Sequence, residues 1–435
     1  MIHVCEPLCE GFSHEKFNSS FIYQLRLAYP SETISFYGEK KHVDALKSIL
    51  AIYNVKIDDI CYNEIPVSGQ VDIFHFLRLA YILRQIINNI ESFDNNTLLF
   101  FSFDATLLFL IKAFSQFSSF QKLKYILVCH GLIESLATKE KLDWEDSAYL
   151  SVSLHNDLRI ITIKIIDKLS SCRNLKSLFI QIQNSFVQKY YSICIRFYGK
   201  YFPLRRIMYW KSNCSIKYVL LSHHIKKNIL NCLDTRRLRF YDLPLPTFFK
   251  KPCYDYRHNE YPKFAVFGYG NLPLLRAILK ELQSKNLKKP YEIRLVSMAT
   301  YGLDSFPNIV CPSPGKLLKR EQMESLMADI DMQLILYPRN RYRLSCSGSI
   351  YEAMSLCKPI LHFENDCINA YNTMDRPIGM CATGIYDYTM QIVYAIQDYS
   401  SFCLKRDYYV QNILEVRKQY SLHYNSSKLE QIYED

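Results

Sequence analysis

Along almost the whole chain, short apolar runs alternate with longer stretches of helical spacing, and this alternation constrains the fold more than any other feature. In the first half, Ile2–Cys5, Thr33–Tyr37, Asp58–Tyr62, Leu98–Ser102 and Tyr125–Cys129 read as strands. Between them His14–Tyr29, Lys41–Tyr53, Asp72–Ile90 and Ala105–Phe117 read as helices, and Asp72–Ile90 carries Phe76, Leu77, Ala80, Ile82, Leu83, Ile86, Ile87 and Ile90 at helical spacing. A strand reached through a helix lies parallel to the strand before it, so the pattern predicts an α/β fold built on parallel sheet.

After His130-Gly131 the alternation stops. Ser135–Tyr209 reads as mostly helical and polar–aromatic, with Asp157–Leu169 ambiguous between helix and strand, before Tyr218–Ser222 returns as a strand and His223–Leu233 as a helix. Leu243–Pro252 then holds three prolines in ten residues, which excludes regular structure. Beyond it the alternation restarts. Strands are predicted at Phe264–Phe267, Glu292–Val296, Asn308–Cys311, Met332–Leu336 and Pro359–His362, and helices at Leu272–Gln283, Lys319–Asp329, Ser349–Leu356, Tyr386–Tyr399 and Asp407–Tyr420. The expected organisation is an α/β domain over residues 1–245 with a helical insertion at 135–210, a second α/β domain over 260–405, and a helical tail over 406–435.

Charge narrows the possible partners. Twelve of the 53 Lys and Arg but only one of the 42 Asp and Glu fall between Phe186 and Arg239, so the remainder of the chain is balanced and the net charge of +11 is one local feature. That argues against a protein that coats nucleic acid. A hydrophobic fraction of 49% with 22% charged residues excludes wholesale disorder. The 15 cysteines form no CxxC pair and no cluster with histidine, and are read as reduced thiols of a cytoplasmic protein. The first residues lack the basic start and apolar core of a signal peptide, and the most apolar run, Thr97–Phe114, is interrupted by Asp104 and Lys112.

The most informative stretch is Leu334–Leu361. A strand ends at Tyr337, a loop carries Arg339, Arg341 and Arg343, Ser347-Gly348-Ser349 opens a helix, and Lys358-Pro359 closes it. The N–H groups and dipole of a helix N-terminus bind phosphate, Gly348 lets the backbone come close, and arginines add charge toward a diphosphate. Glu352, one turn in, can accept hydrogen bonds from two sugar hydroxyls. A second reading needs no ligand, because Ser349-x-x-Glu352 also has the spacing of a capping box.

With its Tyr-Pro, Ser-Gly-Ser, Glu-Ala-Met and Lys-Pro-Ile-Leu, the segment Asp329–Leu361 resembles the donor region of GT-B glycosyltransferases, above all the large group of bacterial capsule and lipopolysaccharide sugar transferases. The resemblance implies two Rossmann-like domains with a helical insertion in the first. It also implies a nucleotide-diphosphate-sugar donor in the second domain and a saccharide or lipid-linked acceptor on the first. Ser347, Gly348 and Ser349 would touch the diphosphate and Glu352 the ribose. The match is not complete. The glutamate that many such enzymes carry eight residues earlier is Leu344 here, and Arg276 is the only base near Gly268-Tyr-Gly270. Arg341 and Arg343 are therefore assigned the diphosphate charge, and Gly268 and Gly270 a tight turn near the donor. No carboxylate cluster of the DxD kind occurs, so neither metal nor cofactor is expected.

In the first half two loops carry candidate chemistry. Glu10–Glu15 follows the first strand and offers His14 and Glu15 as base or acceptor ligands, or a plain helix cap. His130 follows a buried strand and resembles the histidine that family members turn to the donor sugar. Phe186–Lys211 interleaves nine aromatics with basic residues, among them Arg205, Arg206, Trp210 and Lys211. Anionic lipid attracts such a surface, and the expectation is a peripheral protein on the inner face of the cell membrane, with no nucleic-acid partner. A solvated basic face is the alternative. Besides glycosyl transfer, nucleotide-sugar epimerisation and a non-enzymatic binding role fit the same sequence.

Overall fold

The computed structural model describes residues 1–55, 60–67, 71–90, 96–117, 121–137, 190, 193–195, 197–249, 259–267, 271–296, 302–303, 305–313, 318 and 320–434. Most of the expected helical insertion, the ambiguous Asp157–Leu169, Gly268, Gly270 and the end of the proline-rich segment lie outside them. The described strands are β1 (Ile2–Cys5), β2 (Ile34–Gly38), β3 (Ile60–Glu64), β4 (Thr97–Phe100), β5 (Lys124–Cys129), β6 (Ser215–Leu220), β7 (Arg239–Asp242), β8 (Lys263–Phe267), β9 (Glu292–Val296), β10 (Ile309–Val310), β11 (Met332–Ile335), β12 (Ile360–Phe363) and β13 (Gly379–Ala382). The helices used below are α1 (Glu15–Ala28), α2 (Lys40–Ile52), α3 (His75–Asn88), α4 (Ala105–Phe114), α5 (Glu134–Ala137), α6 (Leu204–Tyr209), α7 (His223–Cys232), α8 (Leu272–Gln283), α9 (Arg320–Met327), α10 (Gly348–Ser355), α11 (Asp366–Asn369), α12 (Ile385–Gln397), α13 (Tyr399–Gln419) and α14 (Leu422–Glu434).

Two sheets result. One has seven strands in the order β3-β2-β1-β4-β5-β6-β7 and the other six in the order β10-β9-β8-β11-β12-β13. β1 to β6 pair in parallel, as do β8 to β13. Each sheet runs outward from its first strand in both directions. The order therefore reverses between β1 and β4 in one and between β8 and β11 in the other, where open α/β sheets bind ligands.

The contacts divide the chain into two compact units. The first is Met1–Glu15, Ser31–Leu220 and Lys227–Tyr241, and the second is Lys16–Pro30, Leu221–Lys226 and Asp242–Asp435. In the first, β1, β2 and β4 are almost wholly buried, with Val4, Phe36, Leu98 and Leu99 at the centre. In the second, alternate residues of β8 serve opposite faces, as the pleat requires. Phe264 and Val266 pack with Leu275 and Ile278 of α8, Ile392 of α12 and Phe402 of α13, while Ala265 packs with Val296, Met327 and Ile330. Gly379 starts β13 where only a glycine fits, since a Cβ there would lie 1.9 Å from the Ile360 carbonyl oxygen.

From Lys16 onward α1 is built into the second unit, and this accounts for its composition. Besides Phe17, Phe21, Ile22 and Leu25 it buries Asn18, Ser19, Ser20 and Gln24. The Gln24 amide donates to the Asn425 carbonyl at 2.8 Å, the Phe248 N–H donates to Ser20 Oγ at 3.1 Å, and the Tyr29 and Tyr433 rings meet edge to face. The described part of the proline-rich segment has no regular secondary structure and is largely buried. Leu243, Leu245 and Phe248 are covered, Leu245 N–H bonds the Leu221 carbonyl, and Phe248 stacks on Tyr23. Among the described residues no helix is long and apolar enough to cross a membrane.

Candidate active site

In the second unit the residues singled out between β11 and α10 come together around one helix start. The strand ends at Ile335, the loop carries the arginines, and Ser347 is the N-cap of α10. The capping-box reading is corrected here. Ser349 is the second helical residue rather than the cap, so Glu352 lies too far along the helix to close a box. Ser347 does not cap with its side chain either, because its buried Oγ is 2.6 Å from the Tyr337 hydroxyl. The first turn of α10 therefore takes no hydrogen bond from its own N-cap side chain. Gly348 is exposed, and a Cβ built there would meet nothing within 4 Å, so this chain's packing does not call for a glycine.

The loop ahead of that helix is held from two directions. The Asn365 amide, at the N-cap of α11, donates to the carbonyls of Pro338, Arg339 and Arg341. From α7, His224 places Nε2 3.0 Å from the Tyr342 carbonyl and 3.2 Å from that of Ser345, while its Nδ1 lies 2.7 Å from Ser222 Oγ. Tyr342 has φ +61°, a left-handed conformation that a bulky residue adopts only where its surroundings impose it. Arg341 is exposed with its guanidinium 5.0 Å from the centre of the Tyr342 ring, and Arg343 is half-buried. Glu352 points its carboxylate at the α1 lysine, Lys16, with Nζ to Oε1 2.9 Å and both side chains about one-fifth exposed.

In the first unit the two candidate histidines meet. The His14 and His130 rings are 4.2 Å apart, edge to face. His130 follows β5 and precedes Gly131 at φ +78°, and His14 itself has φ +56°. Burial pulls the His130 imidazole far below its ordinary value, to about 3, with His14 adding to the shift. His14 is lowered by loss of hydration, an effect that the Glu6 carboxylate opposes and His42 reinforces. Glu6 is buried beyond β1, where it accepts from the Leu8 and Cys9 N–H groups and from the Ser102 hydroxyl beyond β4. His42 bonds the Gly11 carbonyl at 2.8 Å. Glu15 starts α1 and is half-buried. A neutral His130 can hold a hydroxyl, and burial weakens both imidazoles as bases.

No protein-family model and no curated protein matches this sequence. Solved structures do. A glycosyltransferase from Rickettsia africae aligns over 100% of this chain and 98% of its own with TM-score 0.55 and 11% identity. Anabaena HepE, solved with UDP and glucose, aligns over 99% of both chains with TM-score 0.56 and 8% identity. The lipopolysaccharide outer core galactosyltransferase WaaB aligns over 99% of this chain and 98% of its own with TM-score 0.52 and 9% identity. The chain has a GT-B fold. At such low identity the likeness fixes the architecture expected from the sequence, two Rossmann-like sheets and a C-terminal helical tail.

Several residues that matter in this GT-B chain were not singled out in its sequence. Lys16, His224, Asn365, Glu6 and His42 act through partners distant in sequence. Glu6, His224 and Asn365 had a local signal, since like His130 they sit just past strand ends. In the basic segment Arg206 and Lys211 are exposed, and Trp210 is 40% exposed with one face stacked on Phe109. Arg205 instead donates to the Cys232 carbonyl at 2.6 Å. Among the described residues no group of histidines, cysteines and carboxylates is placed to hold a metal.

Proposed function

We propose that this protein is a glycosyltransferase that moves a sugar from a nucleotide-diphosphate sugar to a saccharide or lipid-linked saccharide acceptor in surface-polysaccharide synthesis. The observation that carries the reading is the start of α10. It is a glycine-containing helix N-terminus, uncapped by its own N-cap side chain, directly after β11 and beside the point where the strand order reverses. Such an end attracts a diphosphate, Arg341 and Arg343 add charge, and Glu352 one turn later suits the ribose. The UDP in the HepE structure supports a nucleotide donor, and WaaB supports a saccharide acceptor.

In the proposed reaction the acceptor hydroxyl attacks the anomeric carbon, and the bond from that carbon to the diphosphate breaks. The nucleoside diphosphate leaves with the electron pair, its charge met by the helix end and the arginines. The hydroxyl proton must pass to a base, and within the first unit His14 is the candidate for that role and neutral His130 for holding hydroxyls. Incubation with UDP-glucose, UDP-galactose or GDP-mannose, with and without oligosaccharide acceptors, tests this by following nucleoside diphosphate release. Release should depend on acceptor and fall about a hundredfold in His14→Ala. Conversion of the donor sugar to its epimer without acceptor would contradict the proposal.

A further inference from the structure

We propose that Lys16 is a positioning residue for nucleotide recognition, holding the Glu352 carboxylate in the orientation that receives the ribose hydroxyls. This rests on the reading of Glu352 given above and adds a residue to it. A glutamate on a helix has three rotatable bonds. To accept from two adjacent hydroxyls at once it must be ionised and must present both oxygens in a fixed plane. The capping spacing on α10 does not impose that. Ser347 is turned to Tyr337, and neither Ser347 nor Ser349 stands where a capping box would need it.

Lys16 supplies the constraint from another element. Its Nζ lies 2.9 Å from Oε1 of Glu352, and both side chains are about four-fifths covered, so solvent does not dilute the pair as it would at the surface. An ammonium has three donors and cannot accept, and its bond to Oε1 takes one of the roughly four lone-pair sites of a carboxylate. The lysine is itself fixed. It is the second residue of α1, whose next turns are buried through Phe17, Phe21 and Leu25 and tied to α14 by Gln24. α1 thus brings a rigidly based cation to the glutamate.

The test compares ribose with deoxyribose. UDP and GDP are titrated calorimetrically into wild type. Whichever binds is then compared with its 2′-deoxy form in wild type, Lys16→Met, Lys16→Arg and Glu352→Gln, with thermal melts showing that each variant is folded. Wild type should prefer the ribonucleotide by about tenfold, the worth of hydrogen bonds to a charged acceptor. Lys16→Met should cut the preference to about threefold or less by weakening the ribonucleotide alone, and Lys16→Arg should restore it. Retention of the wild-type preference in Lys16→Met, when Glu352→Gln has lost it, would overturn the role of Lys16 and spare the ribose reading. Equal weakening of both nucleotides would also overturn it, placing the lysine on the diphosphate. No preference in wild type would overturn the reading of Glu352 itself, and this proposal with it.

Discussion

Single residues in this chain are set by what they touch across long sequence distances, and His362 shows the consequence most simply. It is fully buried on β12, with Nδ1 2.7 Å from the Phe363 carbonyl and Nε2 2.7 Å from the Asn372 amide nitrogen. Nδ1 must donate and Nε2 accept, so the ring is neutral, and burial lowers its pKa to about 4 although the bond to the Phe363 carbonyl opposes the shift. A lowered folded-state pKa contributes stability that is complete above the unfolded value near 6.5 and is lost as pH falls toward the folded value. Urea unfolding at a series of pH values should therefore show stability falling below pH 6.5, by up to about 1.4 kcal/mol per pH unit for this one group. His130 adds in the same direction. Flat stability between about pH 6.5 and 4.5 would contradict a buried neutral His362. His14 and Tyr342 make a second point at this scale, because both hold left-handed backbone in the two candidate loops, and such strain is kept only where neighbours enforce it.

At the level of elements, the tail is locked to the second sheet by one buried network. Arg406 of α13 reaches Asp331 at the head of β11, with 2.5 Å between Nη1 and Oδ1 and both side chains 2% exposed. Asp331 also accepts from the Lys263 N–H, the Asn259 amide and the Tyr399 hydroxyl. Arg406→Met would leave that carboxylate buried without its cation and should cost about 3–5 kcal/mol in unfolding experiments, while pairing it with Asp331→Asn should recover part of the loss. An unchanged midpoint would show that α13 is held by its apolar face alone. The alternation of apolar runs made nearly all of these elements legible, because buried parallel strands need continuous apolar residues whatever surrounds them. β7, β13 and α11 were not, whereas α14 falls in the expected helical tail. β13 is four residues beginning with glycine, and two of the four residues of β7 are Arg239 and Asp242. The site was legible only where it is contiguous. Ser347 to Glu352 and the arginines lie in one stretch, whereas Lys16, His224 and Asn365 come from other elements, and no local pattern links them to α10.

For the whole molecule, the charge excess confined to Phe186–Arg239 is proposed to serve an anionic membrane. The side chains there divide the work. Arg206, Lys211 and Trp210 present surface, whereas Arg205 bonds the end of α7. Neutralising Arg206 and Lys211 should lower sedimentation with phosphatidylglycerol vesicles, with each charge near the surface worth about 1 kcal/mol, and leave nucleotide affinity unchanged. Loss of both would place the patch in the fold instead. The central claim concerns the start of α10, and calorimetric titration with UDP, GDP and their sugars tests it most directly. At least one of these should bind wild type, and Glu352→Ala should weaken it about tenfold or more. Failure of all of them to bind wild type, or equal affinity in Glu352→Ala, would contradict the account.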